Sequence, residues 1–200
     1  MTDPIPKKFR SLWARCVTLL KQGKPDDLMH ARETVRLIVA YRGRLRFDPD
    51  ILIPTAIMHD IGHSAILPEH FQYVAGSRKF KNAKLVHMLT GAKIANELLR
   101  QLHYRSTARR EIVDIISMHD IDQLDITNWR RWYDTPHKRI FHDFDALDRY
   151  TPVRLKVMIT RNPSRTAVLK ELRGLLNNFF FKEFKRTAES NLNKLEKSND

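Results

Sequence analysis

Apolar residues recur along this chain of 200 residues at helical intervals, and no segment alternates apolar and polar positions over the length of a strand. Phe9, Leu12 and Cys16, for example, share one face and predict an amphipathic helix over 7–22. Further predicted helices begin near Asp26 or Asp27, near Pro49 and at Thr107, and others cover 82–103, 153–160 and 167–194. The pattern therefore predicts an all-α protein.

The length of the chain favours one domain, which would bury about 70% of the surface that the unfolded chain exposes. We expect three parts: an N-terminal helix within 1–25 that packs on the domain, a core over 26–150, and C-terminal helices over 151–200 with a tail that frays from Glu189. Pro68 and Gly76 interrupt the pattern, so residues 64–81 are predicted to be irregular and to form a rim over a site.

The most informative segment is Ile57-Met58-His59-Asp60-Ile61-Gly62-His63. An apolar run that begins at Ile51 predicts a buried helix that ends in two adjacent polar side chains, and Gly62 could end it by adopting a positive φ. A buried carboxylate without a partner is costly, and a divalent cation is the simplest partner for Asp60.

Other candidate ligands lie on or beside apolar helical faces. His30 precedes His59 by 29 residues, and His87, His119 and Asp145 follow Asp60 in turn. Asp143 stays open as an alternative to Asp145. Asp120 repeats the His-Asp dipeptide after His119 and is expected to terminate a helix or to orient a ligand.

The order His…His-Asp…His…His…Asp, together with His-Asp-Ile-Gly, resembles the HD-domain superfamily of metal-dependent phosphohydrolases, in the form that holds two metal ions. The resemblance covers about 26–150 and implies a single-domain helical bundle of the HD-domain type. It also implies that Asp60 bridges two metals, one bound by His30, His59 and Asp145 and the other by His87 and His119.

Histidine and aspartate ligands are compatible with Mn, Fe, Co, Ni or Zn. The implied activity is hydrolysis of a phosphate ester or anhydride by metal-activated water, with Asp60 and His63 as catalytic residues. His63 could contact phosphate or protonate the leaving oxygen, although a histidine at a helix end can also bind only water. The chain has no Gly-Tyr-Pro signature and no synthetase domain. Two other functions stay open: a di-iron oxygenase of the myo-inositol or phosphonate type, and a non-enzymatic metal or nucleotide sensor.

A formal net charge of +13 indicates attraction to anions. The expected partner is a phosphorylated small molecule, above all a nucleotide; nucleic acid is an alternative for which the chain carries no motif. Basic residues that could contact phosphate lie just after the His-Asp pair and beside the tryptophans: Arg78, Lys79, Lys81, Lys84, Arg130 and Arg131. The aromatic residues Trp129, Trp132 and Tyr133 could stack on a base or could cap the core.

A single cysteine, Cys16, and the lack of an apolar run of about 20 residues predict a cytoplasmic protein without a membrane span. The block Phe179-Phe180-Phe181 is expected to pack back on the domain or to form a contact in a homodimer.

Overall fold

Helices make up the computed structural model, which describes residues 4–67, 76–161 and 164–197. Within these ranges the chain forms nine α-helices and no β-strand, which confirms the predicted all-α class. The helices are α1 (Arg10–Gln22), α2 (Asp27–Tyr41), α3 (Pro49–Met58), α4 (Gly76–Gln101), α5 (Ser106–Ile116), α6 (Pro136–Asp148), α7 (Pro152–Arg161), α8 (Arg165–Leu175) and α9 (Lys182–Lys197). No helix in the described part of the chain is long and apolar enough to cross a membrane.

The chain divides into two compact units, Met1–Phe141 and His142–Asp200, which we call the larger and the smaller unit. The boundary falls inside α6. The predicted division into 1–25, 26–150 and 151–200 stays a prediction.

Helix α3 forms the centre of the larger unit. All of its residues from Ile51 to Met58 are buried, and it packs against α1, α2 and α5. A helix that is apolar on every side is stable only inside a core. It begins as predicted, with Pro49 in the first turn and with the Asp48 carboxylate accepting a hydrogen bond from the Asp50 amide at 2.8 Å. Its last turn delivers His59 and Asp60 to the interior.

Two glycines allow the 3₁₀ turn Ile61–Ala65 to lie directly against α4. A Cβ atom on Gly62 would overlap the carbonyl oxygen of His87 and would lie 2.6 Å from the amide nitrogen of Gly91. The prediction of a positive φ at Gly62 is wrong, because the glycines with positive φ in the described residues are Gly43 and Gly76. Gly62 is needed for close approach, and the glycine inside α4 serves the same contact.

Several predicted boundaries are wrong. Residues 76–81 belong to α4 instead of the predicted irregular segment, and residues 68–75 of that segment lie outside the described residues. Helix α5 begins at Ser106, and neither Arg105 nor Thr107 provides a side-chain cap at its start. The predicted helix 167–194 is interrupted around Phe179, and α9 runs from Lys182 to Lys197; fraying of the tail stays a prediction.

The smaller unit is built around a buried carboxylate. Asp143 has no exposed surface and accepts hydrogen bonds from the backbone amides of Phe180 at 2.9 Å and Phe181 at 2.8 Å. The Phe180 ring lies edge-on to His142, with 5.1 Å between ring centroids. The phenylalanine block therefore packs within its own unit, and the homodimer stays a prediction.

Candidate metal centre

The Asp60 carboxylate lies at the centre of a buried group of histidines. Its Oδ2 atom lies 3.4 Å from His59 Nε2 and 3.9 Å from His30 Nε2. Its Oδ1 atom faces a second pair, 3.7 Å from His87 Nε2 and 3.8 Å from His119 Nε2. The two oxygens of one carboxylate thus point to two different pairs of imidazole nitrogens, as they would in a carboxylate that bridges two cations through both oxygens.

Donor atoms in this centre are close enough to share a metal ion. Three groups of residues each bring ligand atoms within 4.8 Å of one another, and all of their members are buried. The groups are His30, His59 and Asp60; Asp60, His63 and His87; and His87, His119 and Asp120.

The rings of His59 and His119 are each held by their Nδ1 atom. His59 Nδ1 lies 3.0 Å from the Ala56 carbonyl oxygen, and His119 Nδ1 lies 2.8 Å from the Ile116 carbonyl oxygen. A carbonyl oxygen only accepts hydrogen bonds, so Nδ1 carries the proton in both rings and Nε2 keeps its lone pair. The helical backbone thereby fixes the tautomer that a metal ligand needs.

Burial also sets the protonation of the centre. It lowers the pKa of His87 to about 4, so this imidazole is neutral at physiological pH. Burial alone would raise the pKa of Asp60, but the surrounding imidazoles of His59, His63 and His119 outweigh burial and hold the pKa well below its usual range. Neutral imidazole and ionised carboxylate are the forms that bind metals.

Asp120 also belongs to the centre. Its Oδ2 atom lies 3.3 Å from His87 Nε2 and 3.7 Å from His119 Nε2, and it forms an ion pair with the Lys84 ammonium. The side chain is buried, and the charge of Lys84, together with the neighbouring imidazoles of His119 and His87, overcomes the effect of burial and holds its pKa well below the usual range. The repeated His-Asp dipeptide was the one signal in the sequence that pointed to it.

Comparison with known families agrees with this arrangement. A family model described as HD domain matches residues 28–150. The chain belongs to the HD domain family. Proteins of this family bind divalent metal ions and generally act as hydrolases within the metal-dependent phosphohydrolase superfamily. Neither a search of curated proteins nor a search of solved structures finds a significant match.

One edge of the HD domain's metal centre is formed by the predicted His63 and by Lys24 and Asp27, which sequence analysis did not assign to the centre. His63 Nδ1 lies 3.0 Å from Asp27 Oδ2, and its Nε2 lies 2.7 Å from the Lys24 ammonium. The His63 ring stacks on that of His87, with 4.2 Å between centroids. Lys24 follows the break after α1 and precedes the matched family region, and no periodicity in the sequence marks it.

The contacts of His63 constrain its predicted role as a proton donor. An ammonium group has no lone pair to accept a hydrogen bond, so Lys24 donates and His63 Nε2 accepts. The proton of the neutral ring then lies on Nδ1, which donates to Asp27. In this arrangement Nε2 holds no proton for a leaving group, and the predicted acid role would require Lys24 to move and the ring to gain a proton.

The last predicted ligand of the HD domain lies in the smaller unit. Asp145 is buried on α6, and its Oδ2 atom lies 4.0 Å from an Arg149 nitrogen. The alternative residue, Asp143, is bound to the backbone amides of Phe180 and Phe181. That structural role leaves Asp145 as the better candidate, and its part in metal binding stays a prediction.

The basic residues predicted to contact phosphate have different surroundings. Lys84 pairs with Asp120, and Lys81 pairs with Asp125 at 2.5 Å. The other four are exposed: Arg78, Lys79, Arg130 and Arg131. Their role in binding phosphate stays a prediction.

The aromatic cluster contacts the HD domain's centre through Tyr133. This residue is buried, and its hydroxyl donates to the His119 carbonyl oxygen at 2.7 Å. The Trp129 ring lies edge-on to Tyr133, with 5.7 Å between centroids, and carries the Arg130 guanidinium 5.0 Å above it. These contacts match the expectation that the cluster caps the core. Stacking of a base on the exposed Trp132 stays a prediction.

Proposed function

We propose that this HD domain hydrolyses a phosphate ester or anhydride of a small molecule, above all a nucleotide, and that it does so with bound divalent metal ions. The observation that carries the proposal is the placement of Asp60, whose two oxygens face two pairs of histidines. A purely structural ion pair would need one partner, whereas this carboxylate faces four imidazole Nε2 atoms, and those of His59 and His119 are unprotonated.

The residues fit a pair of borderline divalent cations such as Mn, Fe, Co, Ni or Zn. The donors are nitrogen and oxygen atoms without sulfur, their protonation states are correct for binding, and they lie within 4.8 Å of one another in each group. One cation would be held by His30, His59 and Asp60, with Asp145 as the predicted fourth ligand, and the other by Asp60, His87 and His119. Such cations lower the pKa of bound water and offset charge on phosphoryl oxygens.

The protein itself contributes burial, orientation and positive charge. The Asp60 carboxylate is 8% exposed and His87 is fully buried, so the reacting group would be shielded from bulk water. Low local dielectric strengthens the attraction between ligands and cations. The net charge of +13 favours an anionic substrate over a neutral polyol. Cys16 is buried and unbridged, and with it we place the activity in the reducing cytoplasm.

The test is a hydrolysis screen under anaerobic conditions. The manganese-loaded protein is given nucleotides, dinucleoside polyphosphates and a generic phosphodiester, and release of phosphate or nucleotide is measured. An Asp60→Ala variant purified in parallel controls for contaminating phosphatases. We expect release with the parent protein alone. If no compound in the panel is hydrolysed, and if the ferrous protein consumes oxygen with a polyol or phosphonate, the function is oxygenation and not hydrolysis.

A further inference from the structure

The segment between α1 and α2 places a cationic group at the edge of the metal centre. Lys24 as a residue is exposed, but its ammonium reaches inward to His63 Nε2 at 2.7 Å. Burial lowers the pKa of Lys24, and the charges of Asp60, Lys84, Asp27 and Asp120 also act on its ammonium, so Lys24 lies within electrostatic range of both ends of the centre. Its side chain therefore connects solvent to the candidate site.

The local backbone is shaped to hold this arrangement. The Asp27 carboxylate accepts from the Lys24 backbone amide at 2.8 Å and from His63 Nδ1 at 3.0 Å, so one oxygen fixes both residues. A Cβ atom on Gly23 would overlap that oxygen and would lie 3.0 Å from His63 Cβ. Gly23 is thus required for the turn to approach His63.

The partner of Lys24 differs from those of the other lysines near the centre. Lys84 is paired with the Asp120 carboxylate and Lys81 with that of Asp125, and each pair cancels its own charge. Lys24 instead donates to a neutral imidazole nitrogen. A phosphoryl oxygen is a stronger acceptor than a neutral imidazole, because it carries charge. The Lys24 ammonium can exchange His63 for such an oxygen without leaving a carboxylate unpaired.

We propose that Lys24 is a substrate-contact residue that binds a terminal phosphoryl group, with Asp27 and His63 as its positioning residues. This inference rests on the proposed function, since it names the anion that enters the same centre. It adds a part of the chain that precedes the matched region 28–150. The ligand class is a phosphate monoester or the terminal phosphate of an anhydride, whose exposed oxygens carry the charge that Lys24 recognises.

The probe is inorganic phosphate, and the measurement is its dissociation constant for the manganese-loaded full chain by titration calorimetry. Lys24→Met removes the ammonium and keeps the length of the side chain. Lys21→Met, in the last turn of α1, removes the same charge from an exposed position three residues away. We expect Lys24→Met to weaken phosphate binding about tenfold or more, as for loss of a charge-assisted hydrogen bond. Lys21→Met should change it by less than about twofold, and Lys24→Arg should restore most of the affinity.

Metal content and melting temperature show whether Lys24 binds the anion or only stabilises the structure of the site. Both should equal those of the parent protein in Lys24→Met if the lysine acts on the anion. Equal phosphate affinity in Lys24→Met and Lys21→Met overturns the inference, as does a parent protein that binds no phosphate. A joint loss of metal, stability and phosphate binding also overturns it, because Lys24 would then be structural. If phosphate binding depends on Lys24 but no ester is cleaved, the proposed function fails and this inference stands.

Discussion

Gly62→Ala tests whether the close contact between the 3₁₀ turn Ile61–Ala65 and α4 builds the metal centre. The added methyl group would overlap the His87 carbonyl oxygen and would lie 2.8 Å from the carbonyl carbon of His87 and 2.6 Å from the Gly91 amide nitrogen. Ordinary contacts to a Cβ atom begin at 3.4 Å. All three neighbours are backbone atoms of one helix, so no side-chain rotation can relieve the overlap.

The expected cost follows from this geometry. To bring the His87 carbonyl oxygen to 3.0 Å from the new methyl group, α4 must move away from the turn by about 1.1 Å at the least, which exceeds the tolerance of about 0.2 Å on metal–ligand distances. Overpacking a core with side-chain neighbours costs about 1–3 kcal/mol. With backbone neighbours we expect a loss of about 3 kcal/mol in the free energy of unfolding, or a melting temperature lower by about 6–12 °C. His87 moves with α4, so its metal should be lost as well.

Two other glycines provide matched controls. A Cβ atom on Gly91 would lie 3.3 Å from the Gly62 amide nitrogen, a tight contact that offsets the gain of about 1 kcal/mol in helix propensity. Gly174 in α8 would meet nothing within 4 Å, so Gly174→Ala should stabilise by about 0.5–1 kcal/mol. Thermal melts and metal analysis of the three variants give the comparison. The reasoning is refuted if Gly62→Ala melts within about 2 °C of the parent protein and keeps its full metal content.

The remaining predictions concern the carboxylates and the charge. Asp60→Ala should lose both metals, with lower stability because metal binding contributes to folding, whereas His87→Ala should lose one; unchanged metal stoichiometry in the second variant would indicate a mononuclear site. Asp143→Ala should keep its metal and lower the free energy of unfolding by about 2–4 kcal/mol, since two part-buried backbone amides lose their acceptor; loss of metal would instead make Asp143 a ligand. The Michaelis constant for a nucleotide should rise with salt concentration, because salt screens the field of the basic residues. A constant value from low to moderate salt would mean that the net charge of +13 plays no part in substrate binding.

The parts of the centre that sequence analysis predicted are those encoded locally. His59 and Asp60 end an apolar run, and the run itself predicts that they are buried. His30 shares an inward face with Thr34, whose hydroxyl donates to the His30 carbonyl oxygen at 3.0 Å. In each case the direction of the ligand follows from its position relative to apolar neighbours on the same helix, and helical periodicity supplies that information.

The parts that were missed depend on contacts between distant residues. Lys24 and His63 are 39 positions apart, and Lys84 and Asp120 are 36 apart. Nothing in the composition of either segment indicates its partner, because any lysine on a basic surface carries the same local signal. Gly62 shows the same limit: its position after a helix suggested a positive φ that ends the helix, while its function depends on the backbone of α4.

The two His-Asp dipeptides of the chain have different electrostatic roles. Asp60 is surrounded by imidazoles, which are neutral when they bind metal, so its negative charge remains available to cations. Asp120 forms an ion pair with the Lys84 ammonium, and the positive charge of Lys84 offsets the negative charge of Asp120. A cation beside His87 and His119 would therefore be attracted by the Asp120 carboxylate only if Lys84 moved away from it. A cation beside His30 and His59 has no such competition, because the ion-pair contacts of Asp60 in the described residues are with histidines and not with a lysine. The attraction for metal is strongest at Asp60, which is also the one carboxylate with an oxygen directed to each pair of histidines.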